Sequence, residues 1–425
     1  MPGELRYTSL EDSLAILSRA IVATRTRRET VGVRDSYGRV LAGDVFAKED
    51  SPKSDVSHFD GFAIRSVDTT GASARSPVNL ALLRAADGVG VFPKARLGPG
   101  KAMKVLTGGY LPVGADTVVP IEDASPTAKA VEVSRRVEKG EHVYPTGADA
   151  RKGDTLLRAG RTLVGQDLVL LASSHFERVP VIKRPRVVII PTGSELTRDI
   201  GDRSGGKVVE SHSLLLERLV EEAGGAAVVH PIVPDEILAL SRALKSALMG
   251  AEILLTLAGS SVGEPDLVDS AIRSLGSSTT ALVHGIKVHR GRVMGFAVVA
   301  GKPVVILPGP IQGALNAFIL FGYPLIRHHL GLGLERPPTV TASVGGDWEA
   351  TGRFRGFDQV VYLRLARETA NPGELLAMPS SGETEKVSFL VSKNAYAIVP
   401  GKRPFLRKGE RIEAHLLPGF SKLEH

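Results

Sequence analysis

Between Arg186 and Ile326 the chain repeats one pattern: a short, uniformly apolar run, a loop, and an amphipathic segment. The apolar runs are RVVII, AAVVHPIV, AEILLTL, GFAVVAG and KPVVIL, and the amphipathic segments are SLLLERLVEEAGG, EILALSRALKSALMG, PDLVDSAIRSLG and GALNAFILF. Strands this apolar have no face to offer water, so they predict a mostly parallel sheet with helices on both sides. A three-layer α/β domain is therefore expected at about residues 185–330. Its last unit carries a test of that reading, because Pro303 to Ile326 holds no charge and is long enough to cross a bilayer. Pro308, Gly309 and Pro310 break this stretch into a strand and a helix, the pattern of a buried strand-loop-helix unit, and no membrane span is expected.

The flanking segments differ in character. Ser9 and Asp12 form a helix-start signal ahead of Leu10, Leu14, Leu17 and Ile21 at helical spacing. Residues 51–146 alternate short β-like runs (AMKVLTGG, ADTVVPIED, AVEVSRRV) with Gly and Pro and read as a β-rich insertion. The helix VGQDLVLLASS has a register suited to packing on the first helix, so residues 1–50 and 147–184 are expected to form one discontinuous helical and linker domain. Beyond Arg336, residues 337–425 show VVYLRLA, KVSFLVS, NAYAIVP and RIEAHLL, read as strands of a small β-barrel or sandwich. The fold class expected is thus α/β and multidomain, with a β-rich insertion and a C-terminal small β-barrel.

The 425 residues include no cysteine, which excludes disulfides, thiolate metal sites and cysteine nucleophiles. MPGELRYTSLEDSLAIL lacks the marks of a signal peptide, and a cytoplasmic location is expected by default. A net charge of +7 and a pI near 9.5 suit an anionic ligand. The basic residues are nevertheless scattered, in clusters as short as Arg135-Arg136; nucleic acid demands a focused basic face and is not expected as a partner.

Ligands of open α/β sheets gather beyond the carboxyl ends of the strands. Three loops stand there: PTGSEL at 191–196, AGSSVGEPD at 258–266, and LPGP at 307–310. In the second, Gly259 and Gly263 allow close backbone approach, Ser260 and Ser261 supply donors, and the following helix start favours an anion such as phosphate. Glu264 and Asp266 add carboxylates that either hold a cation such as magnesium beside the phosphate or cap the helix. Glu195, after Thr192 and Gly193, has the same two readings, and Pro308-Gly309 is either a site element or a plain turn. In the insertion, Asp60 lies between Phe59 and Gly61-Phe62. Either it is a turn-forming Asp-Gly, or a functional carboxylate whose pKa is raised by its aromatic neighbours or which acts at a partner's site.

Six pieces stand in a definite order: FDGFAI at 59–64, VLTGGYLPVGADTVVPIED at 105–123, TGADARKGD at 146–154, RPRVVIIPTGSEL at 184–196, SVGEPD at 261–266 and LPG at 307–309. In order and spacing, over nearly its whole length, the chain resembles the molybdopterin molybdenumtransferase family, whose animal relative is the C-terminal part of gephyrin. The resemblance implies an enzyme that takes adenylylated molybdopterin and molybdate or tungstate, hydrolyses the adenylate and inserts the metal into the dithiolene. It also implies an elongated homodimer in which the insertion of one subunit faces the α/β domain of the other. Carried across, Asp60 is the carboxylate reaching the partner's site, while Thr107 and Asp149 shape the cleft. Glu195 and Asp266 become functional carboxylates holding Mg2+. Departures from the family pattern fall in the implied pocket: Glu210-Ser211-His212 replaces Asp-x-Asn, Arg290-Gly291-Arg292-Val293 replaces Pro-Gly-Lys-Pro, and Pro310-Ile311 replaces Asn-Pro. Arg292 keeps the charge of the family's lysine and so remains a candidate for the oxyanion. These changes leave open a divergent paralogue that binds a pterin or nucleotide without inserting metal.

Overall fold

The computed structural model describes residues 7–21, 26–83, 90–203, 205–259, 266–367, 374–380 and 387–418. The chain divides into two compact units, one of residues 1–29 with 182–425 and one of residues 30–181.

In the first unit, the apolar runs form one six-stranded sheet. Its strands are β1 (Arg186–Pro191), β2 (Ala226–Val229), β3 (Ile253–Leu257), β4 (Thr279–His284), β5 (Gly295–Val299) and β6 (Lys302–Leu307), in the order β2-β1-β3-β6-β5-β4. The first four in that order are parallel, and β5 and β4 run antiparallel at one edge. Strand β4 was not among the runs singled out: TTALVH mixes Thr and His with apolar residues because an edge strand is only partly covered. Alternate residues Val188, Ile190, Leu254, Val304 and Ile306 share a core with Leu240 and Leu244 of α2 (Ile237–Gly250) and with Val268 and Ile272 of α3 (Leu267–Arg273). Helix α1 (His212–Glu222) and the segment from Ile311 to His329 also contact strands of the sheet. They contribute nothing to that core and cover the other face, which completes three layers.

The uncharged stretch is explained by depth. Every residue from Ile311 to Ile326 is buried, in a helix that passes through a π-turn at Phe318–Gly322. Among the described residues no helix is long and apolar enough to cross a membrane.

The terminal strands close into a five-stranded barrel, because Asp358–Arg367 pairs with both Leu375–Pro379 and Ala395–Val399, while Thr339–Val344 and Arg411–Leu416 complete the ring. KVSFLVS is not one of its strands: Val387–Val391 is a short helix, and Leu375–Pro379 takes the expected place in the barrel. An apolar run this short carries no periodicity that separates helix from strand.

The first helix, Leu10–Ala20, is capped by the Ser9 hydroxyl, which accepts from the Asp12 N–H at 3.0 Å. It lies against β4 and belongs to the first unit. This corrects the pairing expected from register, since the helix Gly165–Ser173 builds its core with Val33, Leu41, Val45, Leu163 and Val181 in the second unit. That unit also holds a six-stranded sheet in the order 117–120, 61–64, 101–105, 78–83, 130–133, 124–126. Its strand Gly61–Ile64 alternates cleanly, with Phe62 and Ile64 in one core and Ala63 in another.

Candidate functional site

The order of the α/β sheet creates the site. From β1 the chain steps to β2 on one side and then to β3 on the other, so a crevice opens at the carboxyl ends of β1 and β3. Thr192, the residue after β1, donates its N–H to the Leu257 carbonyl at 2.9 Å. Its methyl group is what a Cβ on Gly259 would meet, at 3.3 Å, and Gly259 stands at a left-handed φ of 72°. Gly309 packs against Ala258, where an added Cβ would lie 3.5 Å from the alanine methyl. The three loops read from the sequence therefore converge. At their meeting point the Thr192 hydroxyl is buried and has no hydrogen-bond partner among the described residues. A buried donor without a partner costs about 1–3 kcal/mol, so this one is suited to a ligand that accepts.

Other elements complete the wall. Glu195 is exposed, and its carboxylate folds back over Gly193, where a Cβ would come within 2.9 Å of Oε1. Asp235, in the loop after β2, is joined reciprocally to this loop: the Ser194 N–H donates to Asp235 Oδ2 at 2.9 Å, and the Asp235 N–H donates to Ser194 Oγ at 3.1 Å. His212, which opens α1, hydrogen-bonds the backbone of Gly309. Burial holds its pKa below the ordinary histidine value, against the pull of Glu210 and of that bond. Glu210 is buried and accepts from the Ser213 N–H at 3.0 Å and from the Ser213 hydroxyl, so it caps α1. Arg292 lies with its guanidinium 4.8 Å from the Phe354 ring, in a cation–π contact at the flank of the barrel.

Asp266 is the N-cap of α3, with Oδ1 accepting from the Asp269 N–H at 2.9 Å. Its Oδ2 faces His284 Nε2 at 3.2 Å, and both side chains are only 9% exposed. Burial alone would depress the His284 imidazole, but the Asp266 carboxylate outweighs it and holds the pKa above the ordinary histidine value. Among the described residues no group of three His, Asp or Glu side chains is placed to hold a metal ion. Of the two carboxylates expected to share a divalent cation, Asp266 caps α3 with one oxygen and has the other beside His284, and Glu195 is exposed. Ser260, Ser261, Gly263 and Glu264 lie outside the described residues.

The second unit carries the other carboxylate. Asp60 is exposed, and its Oδ1 accepts from both the N–H and the hydroxyl of Thr107, at 2.7 and 2.8 Å. These bonds, with Lys104 nearby, hold its pKa below the usual value. The raised pKa expected from aromatic neighbours is therefore reversed, because Phe62 points into the core and Phe59 packs on His142. Nor is Asp60-Gly61 a hairpin turn. Gly61 opens a central strand and is glycine because a Cβ would collide with the Val119 carbonyl. Asp149 is exposed, with its backbone N–H on the Ser51 carbonyl at 2.9 Å.

Residues 8–174 match the family described as the MoeA N-terminal region (domain I and II), and residues 188–328 match a probable molybdopterin binding domain. Molybdopterin molybdenumtransferase 2 of Mycobacterium tuberculosis is 32% identical over 310 residues, which is 71% of this chain and 75% of that protein. The chain belongs to the molybdopterin molybdenumtransferase family. Another member, from Bacillus subtilis, is 29% identical over 92% of this chain and 90% of its own length. A molybdopterin biosynthesis MoeA protein from Pyrococcus horikosii has the same fold, with a TM-score of 0.82, 26% identity and coverage of 98% of this chain and 100% of that one.

Within this molybdopterin molybdenumtransferase fold, two side chains that the sequence reading passed over stand at the crevice or beside it. Asp235 had a usable signal, since it follows an apolar strand as Thr192 and Gly259 do. His284 had none, because the antiparallel edge strand β4 is what carries it to Asp266.

Proposed function

We propose that this chain completes the molybdenum cofactor by hydrolysing adenylylated molybdopterin and inserting molybdate or tungstate. The observation that carries the reading is the orphaned Thr192 hydroxyl at the switch point, where three loops meet in a chain of this family. In the reaction, the substrate phosphate accepts from Thr192 and lies against the backbone of Gly193 and Gly259. Pro308-Gly309 and His212 border the same anion. Asp60, kept ionised by Thr107, acts from the second copy of a homodimer as an acceptor for the water proton when the phosphoanhydride breaks. Water oxygen bonds to one phosphorus as the P–O–P bond breaks, so one phosphate leaves as AMP and the other stays on molybdopterin, and the oxyanion of molybdenum or tungsten enters as substrate.

A second reading, a paralogue that binds the pterin without inserting metal, is favoured by one observation. The residue in place of the family's lysine, Arg292, is engaged with Phe354. The two separate in one assay, AMP release from adenylylated molybdopterin with and without molybdate, for the wild type and Thr192→Val. Molybdate-dependent release that falls about tenfold in the variant, the equivalent of one hydrogen bond of about 1.4 kcal/mol, supports the first reading. Binding without release supports the second. Sedimentation tests the homodimer, and a monomer at micromolar concentration overturns it.

A further inference from the structure

The α/β sheet has a second end. The crevice lies at the carboxyl ends of β1 and β3; at their amino ends, across about 20 Å of sheet, a cavity of about 620 Å³ opens. Lys183 and Arg184 lead into β1, Glu252 leads into β3, and Lys302 begins β6, three strands that are neighbours in the sheet. Arg27 is tied to this rim through its carbonyl, which accepts from the Lys183 N–H at 2.8 Å, and His329 closes the wall from the end of the helix Tyr323–His329. All six residues belong to the first unit. A cavity of this volume takes a small molecule.

Four cations stand here against one carboxylate. The fold uses two of them: the Lys302 ammonium donates to the Leu248 carbonyl in the last turn of α2, and the Arg27 guanidinium lies 3.5 Å from Glu252, which also accepts from the Arg186 N–H at 2.8 Å. The Arg27 side chain is 74% exposed, so that ion pair is weak and gives way to a stronger acceptor. Lys183 and Arg184 are exposed, and their side chains have no acceptor among the described residues. Helix capping therefore explains Lys302 and leaves these two without a task. His329 adds no charge near neutral pH, because burial pushes its pKa below the ordinary histidine value while its Nδ1 lies 2.9 Å from the Leu325 carbonyl. We propose that this cavity binds a small anion carrying a diphosphate group, held by Lys183 and Arg184 with Arg27 and Lys302 beside them. An excess of three positive charges is met by more than one phosphate, and a guanidinium takes phosphate oxygens in pairs. The site stands apart from the proposed reaction, at the opposite end of the same strands.

The experiment is calorimetric titration of the full chain with pyrophosphate and, separately, with ADP, at low salt. Pyrophosphate is expected to bind the wild type more tightly than about 1 mM. Lys183→Ala/Arg184→Ala, two changes at exposed side chains that leave the fold intact, weakens it by about tenfold or more, the scale of a lost charge-assisted hydrogen bond. Glu252→Gln, which removes the one carboxylate and frees Arg27, tightens it by about threefold. Two controls place the site. Lys94→Ala/Arg96→Ala removes the same charge from the second unit, and Thr192→Val alters the crevice; each should stay within about twofold of the wild type. ADP that follows the same variants makes the ligand a nucleotide, and pyrophosphate that does so alone makes it a diphosphate without a base; either result supports the proposal. Absence of pyrophosphate binding at 1 mM overturns it, as does a Lys183→Ala/Arg184→Ala chain that binds as the wild type does, or a control that weakens binding equally. The readout needs no pterin, so its failure is distinct from failure of the proposed reaction.

Discussion

Asp60 and Asp266 are the same residue type, each given a functional role by the family resemblance, and the two units treat them in opposite ways. Asp60 is exposed and held by two neutral donors from a single residue, Thr107. Asp266 is nearly buried, capped onto a helix N–H by one oxygen and 3.2 Å from an imidazole nitrogen with the other. The first arrangement leaves a carboxylate ionised and facing outward, ready for a proton or a ligand from elsewhere. The second buries the carboxylate, with one oxygen on the helix N–H and the other beside a histidine.

That contrast breaks most sharply at His284. His284→Leu leaves the Asp266 carboxylate buried without its neighbouring imidazole, and urea unfolding should show a loss of about 3–5 kcal/mol. A loss under about 1 kcal/mol means that water already compensates Asp266, and the contrast between the two carboxylates fails. Glu210 sharpens the comparison, because it is buried like Asp266 but bound by neutral donors like Asp60. Ser213→Ala removes one of those donors, and the expected cost is about 1–2 kcal/mol in the same assay. Asp60→Asn should leave stability within about 0.5 kcal/mol while AMP release falls roughly a hundredfold. Equal losses of stability and activity would instead make Asp60 structural.

The smallest effect concerns Thr107. Thr107→Val removes the hydroxyl that helps depress the Asp60 pKa, so a carbon-13 carboxyl titration should show that pKa moving up toward the ordinary aspartate value. A depressed carboxylate contributes stability above its unfolded-state pKa and loses it as the pH falls through the folded-state value. The variant should accordingly show a weaker loss of stability on the acid side.

Much of the architecture was legible because the α/β strands are apolar on both faces and their helices amphipathic, a pattern that survives without knowledge of the neighbours. The three loops followed from strand ends alone. What escaped notice depended on pairing. TTALVH reads weakly because an edge strand has one open side, and KVSFLVS is too short to show its period. Phe59-Asp60-Gly61 looked like a turn with an aromatic-shielded acid. Sequence adjacency cannot reveal that Phe62 points into a core, that Phe59 leans on His142, or that Gly61 makes room for the Val119 carbonyl.

The sequence by itself determined the layered α/β domain, the terminal β-barrel, the family, and the three loops at the strand ends. Only the tertiary structure decided the surroundings of each carboxylate. The physical reason is that a carboxylate's state is set by the donors and charges within a few ångströms of it. For Asp266 the decisive group is His284, brought up by the antiparallel edge strand; for Asp60 it is Thr107, from a strand end 47 residues away in the chain.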